Sequence, residues 1–223
     1  MISAKLREGI CRLGKSLFDR GYTHGASGNI SVTLDDGGMI VTPTNVSLGS
    51  LDPAALSVLD AAGHLIEGPP PTKEVPLHAA VYQTRRSAGA IVHLHSTHSV
   101  AVSMLPDIDP AEVFPPLTAY YLMRVGRTAL LPYFRPGDPK VAEALASLGG
   151  EYGAVLLANH GPVVADRSLE SAGQAIEELE QTARLFLLLR AEKPRLLTPS
   201  EASALRNDPA GSVKPNAQGA LAS

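Results

Sequence analysis

The sequence holds a single cysteine, Cys11, in 223 residues. An intramolecular disulfide is therefore excluded. Cys11 sits among Ile10, Leu13 and Leu17 at helical spacing, which predicts a buried, inert thiol. No apolar run reaches the ~18 residues that a transmembrane helix needs. No apolar stretch follows a basic start, so no secretory leader is expected. Together these absences point to the cytoplasm. The chain also lacks a cluster of lysine and arginine, and its formal charge is -3. That balance argues against a nucleic-acid or membrane-surface binder, and leaves room for a local basic site facing an anionic substrate. No internal repeat or linker composition appears, so residues 1–206 read as one domain. Residues 207–223 turn to Asn, Pro, Ala, Gly and Ser, the composition of a disordered tail.

What is present is an ordinary globular balance, 44% hydrophobic and 18% charged. The most informative stretch runs from Ala90 to Ser99. Its first half is apolar and β-branched, which predicts a buried strand. On a strand Ile91, His93 and His95 share one face. Two imidazoles so placed can bind one metal ion. The same pattern also fits two core histidines whose ring nitrogens are satisfied within the protein.

The rest of the chain reads as helices around a middle set of strands. Residues 3–20 predict a helix closed at Gly21, and Ile30 to Leu34 and Met39 to Val41 flank a hairpin turn at residues 35–38. A second hairpin is expected around residues 60–63. Thr72 suits the N-cap of a helix over residues 73–84, and helical spacing resumes over residues 97–105. A strand is expected near residues 125–131 and a helix over residues 138–148. The apolar run Ala154 to Ala158 predicts a buried strand, with a short strand at residues 163–165. Ser168 suits the cap of a long helix to about Arg190, with Glu170, Glu177, Glu178 and Glu180 on its polar side. Residues 116–123 carry no strong helix signal. An α/β domain, α+β or α/β/α in layering, is the expected class.

His160 follows a strand where Gly161 permits close approach. With His93 and His95 it supplies three imidazoles, a common arrangement for a catalytic zinc with one open position. Glu74, just ahead of the histidine strand, is the candidate base. A carboxylate that stabilises the helix dipole fits the same place. Ser27-Gly28-Asn29, Thr42 to Asn45 and Thr72-Lys73 are small polar loops whose hydroxyls and N–H groups suit a phosphate. His24, His64, His78 and His98 are not expected to be ligands.

Taken in order, Gly25-Ala26-Ser27-Gly28-Asn29-Ile30-Ser31, Thr42-Pro43-Thr44, Lys73-Glu74, His93-Leu94-His95-Ser96 and Asn159-His160-Gly161 resemble the zinc-dependent class II aldolase/adducin family over roughly residues 5–190. The resemblance implies a three-layer α/β/α sandwich around a mostly antiparallel sheet of nine strands, in a homotetramer with sites between subunits. It implies one Zn2+ per subunit on His93, His95 and His160, with Glu74 as acid/base and as a further ligand when substrate is absent. Further stretches, among them Pro71-Thr72-Lys73-Glu74-Val75 and Leu130-Leu131-Pro132-Tyr133, look most like the branch that decarboxylates 3-oxo-tetronate 4-phosphates. The implied reaction is a carbon–carbon lyase step to dihydroxyacetone phosphate and CO2 through a metal-stabilised enediolate. An aldolase or 4-epimerase acting on fuculose 1-phosphate or ribulose 5-phosphate is the alternative, and an adducin-type binding module without zinc is a third reading. Ser27, Gly28, Asn29, Thr42, Thr44, Asn45, Thr72 and Lys73 fall at the expected phosphate loops. Asn45 stands where the family has Gly, a replacement that tolerates a left-handed backbone. Lys73 stands where sugar-phosphate aldolases often carry Ser. The resemblance brings Tyr120 to a subunit interface near a neighbour's site, aligned with the tyrosine acid of the aldolases.

Overall fold

Alternation along the strands decides which residues reach which side of the sheet. In the computed structural model, which describes residues 2–149 and 152–207, the strands are β1 (Asn29–Thr33), β2 (Met39–Val41), β3 (Ser57–Leu59), β4 (Leu65–Glu67), β5 (Ala90–His93), β6 (Thr128–Leu131), β7 (Ala154–Leu157) and β8 (Gly161–Asp166). They form one sheet in the order β4-β3-β2-β1-β5-β8-β7-β6, antiparallel except for the β6–β7 pair. Eight strands are found among the described residues, where the resemblance implied nine.

The helices are α1 (Ala4–Asp19), α2 (Val75–Thr84), α3 (Thr97–Ser103), α4 (Ala119–Arg124), α5 (Val141–Ser147), α6 (Leu169–Leu189) and α7 (Pro199–Asn207). On the central strand, Ala90 and Val92 join one core with Ile10, Leu17, Ile176 and Leu179 of α1 and α6. Ile91, one residue out of phase, joins the other core with Leu77, Val81, Val141 and Leu145 of α2 and α5. The sheet is therefore covered on both faces, and the α/β/α sandwich holds. Burying each Ile or Leu contributes about 2 kcal/mol. His93 has the parity of Ile91, so its ring belongs to the α2 side, with 0% exposure.

Several boundaries differ from the sequence reading. The helix expected from Lys73 begins at Val75, and Thr72 is not its N-cap; Glu74 is. Pro76 fixes that start, because a proline without N–H fits only the first turn. Strand β5 stops at His93, so His95 stands beyond the strand rather than on it. Residues 119–124 do form a helix, capped by Thr118 through the Tyr121 N–H. Helix α5 starts at Val141, later than expected, after a proline at residue 139. Strand β8 takes in Gly161 and Pro162. Cys11 is only half-buried, not buried as expected, because it lies at the edge of the buried face of α1; partial burial and Asp52 push its thiol pKa up, which disfavours the thiolate. Glu180 is not on a polar face. It is buried at 8% exposure and caps α3 from the neighbouring helix α6, accepting from the His98 and Ser99 N–H groups at 2.8 and 2.9 Å. The tail expected at residues 207–223 lies outside the described residues apart from Asn207, which ends α7.

Candidate active site

At the end of β5 the sheet meets the start of α2 and the β7–β8 turn. Four side chains converge there. One ligand atom from each of Glu74, His93, His95 and His160 lies within 4.8 Å of all the others. Glu74 Oε2 is 3.1 Å from His93 Nε2, and Glu74 Oε1 is 3.5 Å from His160 Nε2. The rings pack edge to face, with centroids 5.2 Å apart for His93–His95, 4.8 Å for His93–His160 and 4.7 Å for His95–His160.

The backbone makes this convergence possible. Asn159 has φ of 57°, so the turn after β7 reverses sharply and returns His160 to the sheet end. Gly161 lies so close to β5 that a Cβ would stand 2.1 Å from the Leu94 carbonyl. Gly28 is similar: a Cβ there would meet the His93 carbonyl at 2.9 Å, and its φ is +82°.

The donor set fits a divalent metal. His93 Nδ1 donates to the Pro162 carbonyl at 2.8 Å, which leaves the Nε2 lone pair facing the cluster. His95 Nε2 is buried and has no hydrogen-bond partner. An orphaned buried imidazole nitrogen beside a buried carboxylate is costly unless a cation receives both. The electrostatics agree. Burial, with charge on His93 and His160, lowers His95 to about 3, and burial with His93 lowers His160 to about 4. Both are therefore neutral and able to ligate at neutral pH. Burial opposes ionisation of Glu74, but His93 and a hydrogen bond from Asn29 hold it well below the usual carboxylate range. Burial likewise opposes charge on His93, and Glu74 with the Pro162 carbonyl outweighs it and pushes His93 up. A metal ion held by these residues would take the place of that proton.

The three polar loops are brought side by side. Thr72 N–H donates to the Thr42 carbonyl at 3.1 Å, Thr44 N–H donates to Pro70 at 3.1 Å, and Thr42 Oγ1 accepts from the Ile30 N–H at 3.1 Å. Not every side chain in them is free. Thr42 is 1% exposed and Asn29 4% exposed, and both are committed to protein partners. Ser27 Oγ donates to the His24 carbonyl, and Thr72 Oγ1 accepts from the Glu74 N–H. Asn45 takes φ of 58°, the left-handed conformation that Gly otherwise supplies. Lys73 and Asn45 are exposed. Tyr120 is 61% exposed on α4. Sequence reasoning gave no site role to the loop Phe134 to Asp138, which shares a small cavity with Glu74 and His160, although Arg135 to Asp138 are among the stretches that carry the resemblance. It also missed the partners behind Glu74, Asn29 and His78.

The model of the Class II Aldolase and Adducin N-terminal domain matches residues 8–187. The chain belongs to this family. Among class II aldolase relatives, the 3-oxo-tetronate 4-phosphate decarboxylase of Haemophilus influenzae is 48% identical over 90% of this chain and 96% of its own. The crystal structure of YgbL from Escherichia coli superposes with a TM-score of 0.89 at 44% identity, covering 92% of this chain and 100% of that one. An L-fuculose 1-phosphate aldolase superposes with a TM-score of 0.83 at 27% identity, covering 93% and 97%. This class II aldolase family member is an enzyme, a carbon–carbon lyase, with a Glu/His3 group that can hold a metal ion. Among the described residues no helix is long and apolar enough to cross a membrane.

Proposed function

We propose that the chain decarboxylates a 3-oxo-tetronate 4-phosphate to dihydroxyacetone phosphate and CO2, with one zinc ion per subunit. The likeness to the Haemophilus influenzae decarboxylase, stronger than that to the fuculose phosphate aldolase, carries this reading. His93, His95 and His160 would hold the zinc, with Glu74 as a further ligand in the empty enzyme. Zinc supplies Lewis acidity to the negative charge that develops on the substrate oxygens. Of the three loops, Ser27, Gly28, Thr44, Asn45 and Lys73 would take the phosphate through N–H groups, hydroxyls and the Lys73 ammonium, while the buried Asn29, Thr42 and Thr72 hold the loops together. The substrate ketone at C3 accepts the electron pair of the breaking C1–C2 bond, CO2 departs, and an enediolate remains. C2 then needs one proton. Glu74, or a water held by its Oε1 on the His160 side, would deliver that proton, and solvent restores the one spent. A homotetramer with Tyr120 at an interface completes the reading.

The test is to incubate the purified protein with both C2 epimers of the substrate, following CO2 and, by coupled reduction, dihydroxyacetone phosphate. Release of both products from one epimer is expected. Inertness toward both, with cleavage of L-fuculose 1-phosphate or epimerisation of ribulose 5-phosphate, would replace the decarboxylase with the aldolase or 4-epimerase, for which the TM-score of 0.83 to an aldolase speaks.

A further inference from the structure

From Glu74 a continuous line of buried polar groups runs across β1 and α2. Glu74 Oε2 accepts from Asn29 Nδ2 at 2.8 Å. Asn29 Oδ1 meets His78 Nε2 at 2.5 Å, His78 Nδ1 meets Ser31 Oγ at 2.6 Å, and Ser31 Oγ meets Tyr82 Oη at 2.8 Å. His78 and Ser31 are 0% exposed. The register of β1 on β5 pairs Asn29 with His93 and Ser31 with Ile91, so both point to the α2 side. His78 stands one helical turn after Glu74, over the same strand.

The protons in this line have one consistent assignment. An amide facing a carboxylate must present its NH2, because its oxygen would repel the anion. Asn29 Oδ1 then points at His78 and needs a donor, so His78 Nε2 carries the hydrogen. A neutral imidazole has one N–H, so Nδ1 accepts, and the Ser31 hydroxyl donates to it. Ser31 oxygen in turn accepts from the Tyr82 hydroxyl. Burial keeps His78 neutral, lowering it to about 3. Every donor therefore points toward Glu74. Without His78 the amide loses the partner that distinguishes its two orientations, and one of them sets an oxygen against Glu74.

We propose that His78 is a positioning residue for Glu74, acting through the Asn29 amide, which it locks with its NH2 toward the carboxylate. The proposal rests on the reading of Glu74 as acid/base and ligand. The chain then fixes Oε2 as a hydrogen-bonded acceptor and leaves Oε1 facing His160 Nε2 at 3.5 Å.

A double-mutant cycle tests it. His78→Phe, Asn29→Ala and the pair are prepared with metal bound. The readouts are kcat and KM on the 3-oxo-tetronate 4-phosphate, metal affinity by chelator competition, and thermal midpoint. His78→Phe alone is expected to lower kcat by about tenfold, the scale of a lost hydrogen bond to a charged group, with KM changed by less than about threefold. It is also expected to weaken metal binding. In the Asn29→Ala background the same change should leave kcat and metal affinity within about twofold, because its route to Glu74 is already gone. Equal losses in both backgrounds would overturn the proposal, since His78 would then act independently of Asn29. Should His78→Phe fail to fold, Ser31→Ala removes the donor to Nδ1 with little change of volume. A threefold or greater kcat loss that disappears with Asn29→Ala supports the line of donors, and a loss that persists overturns it. Metal affinity needs no substrate. If the unsubstituted enzyme leaves the proposed substrate untouched, the functional reading fails while the metal-affinity cycle still decides the role of His78.

Discussion

Replacing Glu180 probes a support of the helix that begins just beyond His95. Its carboxylate is buried and accepts from the His98 N–H, the Ser99 N–H, the Ser99 hydroxyl at 2.7 Å and His98 Nδ1 at 2.8 Å. Ser96, which occupies the N-cap of α3, offers no side-chain cap; its hydroxyl donates to the Tyr22 carbonyl at 2.9 Å. Glu180 thus supplies both the cap and the negative charge that a helix N-terminus favours. In Glu180→Ala two backbone N–H groups and a hydroxyl lose their acceptor in the interior, and a cavity opens. Losing a buried charged acceptor of several bonds costs about 3–5 kcal/mol. For a chain of this size that corresponds to a fall of roughly 10 °C in the thermal midpoint. Glu180→Gln keeps one oxygen but turns an NH2 toward donors, so its cost should approach that of Ala despite equal volume. Urea unfolding with metal bound measures both. Because α3 begins two residues beyond His95, metal affinity should fall as well. If Glu180→Ala costs less than about 1 kcal/mol, or if Gln is neutral, the carboxylate is not what holds this helix start.

Other outcomes follow from the site. The protein should bind about one zinc per chain and lose it when His93, His95 or His160 becomes Ala; a fully active metal-free preparation would refute that. Glu74→Gln should fold and bind metal but lose turnover by about 10² or more, and near-normal turnover would return Glu74 to a helix-dipole role. Tyr120→Phe should lower decarboxylation by less than about tenfold, because CO2 leaves without a proton, and a loss matching that of Glu74→Gln would refute the proton inventory. His78 is lowered from 6.5 to about 3 in the folded chain, so the unfolded chain binds the extra proton between those values. Its contribution is complete above pH 6.5 and is lost as the pH falls toward 3. The wild type should therefore lose stability across that interval more steeply than His78→Phe, by up to about 1.4 kcal/mol per pH unit, and parallel curves would contradict it.

The histidines were legible in the sequence because strand parity and a glycine after a strand are local signals. His93 keeps the face expected from Ile91, while His95 reaches the same centre from beyond the strand end. The layers were legible too, since near-continuous apolar strands need cover on both faces. Glu180 was not. On α6 it sits among other glutamates, and nothing local says that the start of a helix distant in sequence will press on it. Asn29 was read as a phosphate-loop residue, and its side chain proves to be tied to residues 74 and 78, a link made by packing α2 on β1. Helix α4 escaped because its signal is a capping threonine and six residues, too short for periodicity. Helix α2 was placed early because Thr72 looks like a cap, whereas Pro76 dictates where the first turn begins.

Pro162 has a further consequence. A proline in an interior strand cannot donate to the ladder, yet its carbonyl accepts twice, from the Leu94 N–H at 3.2 Å and from the His93 ring at 2.8 Å. The same oxygen serves the sheet and the metal site. A change that shifts β8 against β5 would therefore move the His93 ring together with the ladder, so the ligand cannot be repositioned without disturbing the sheet.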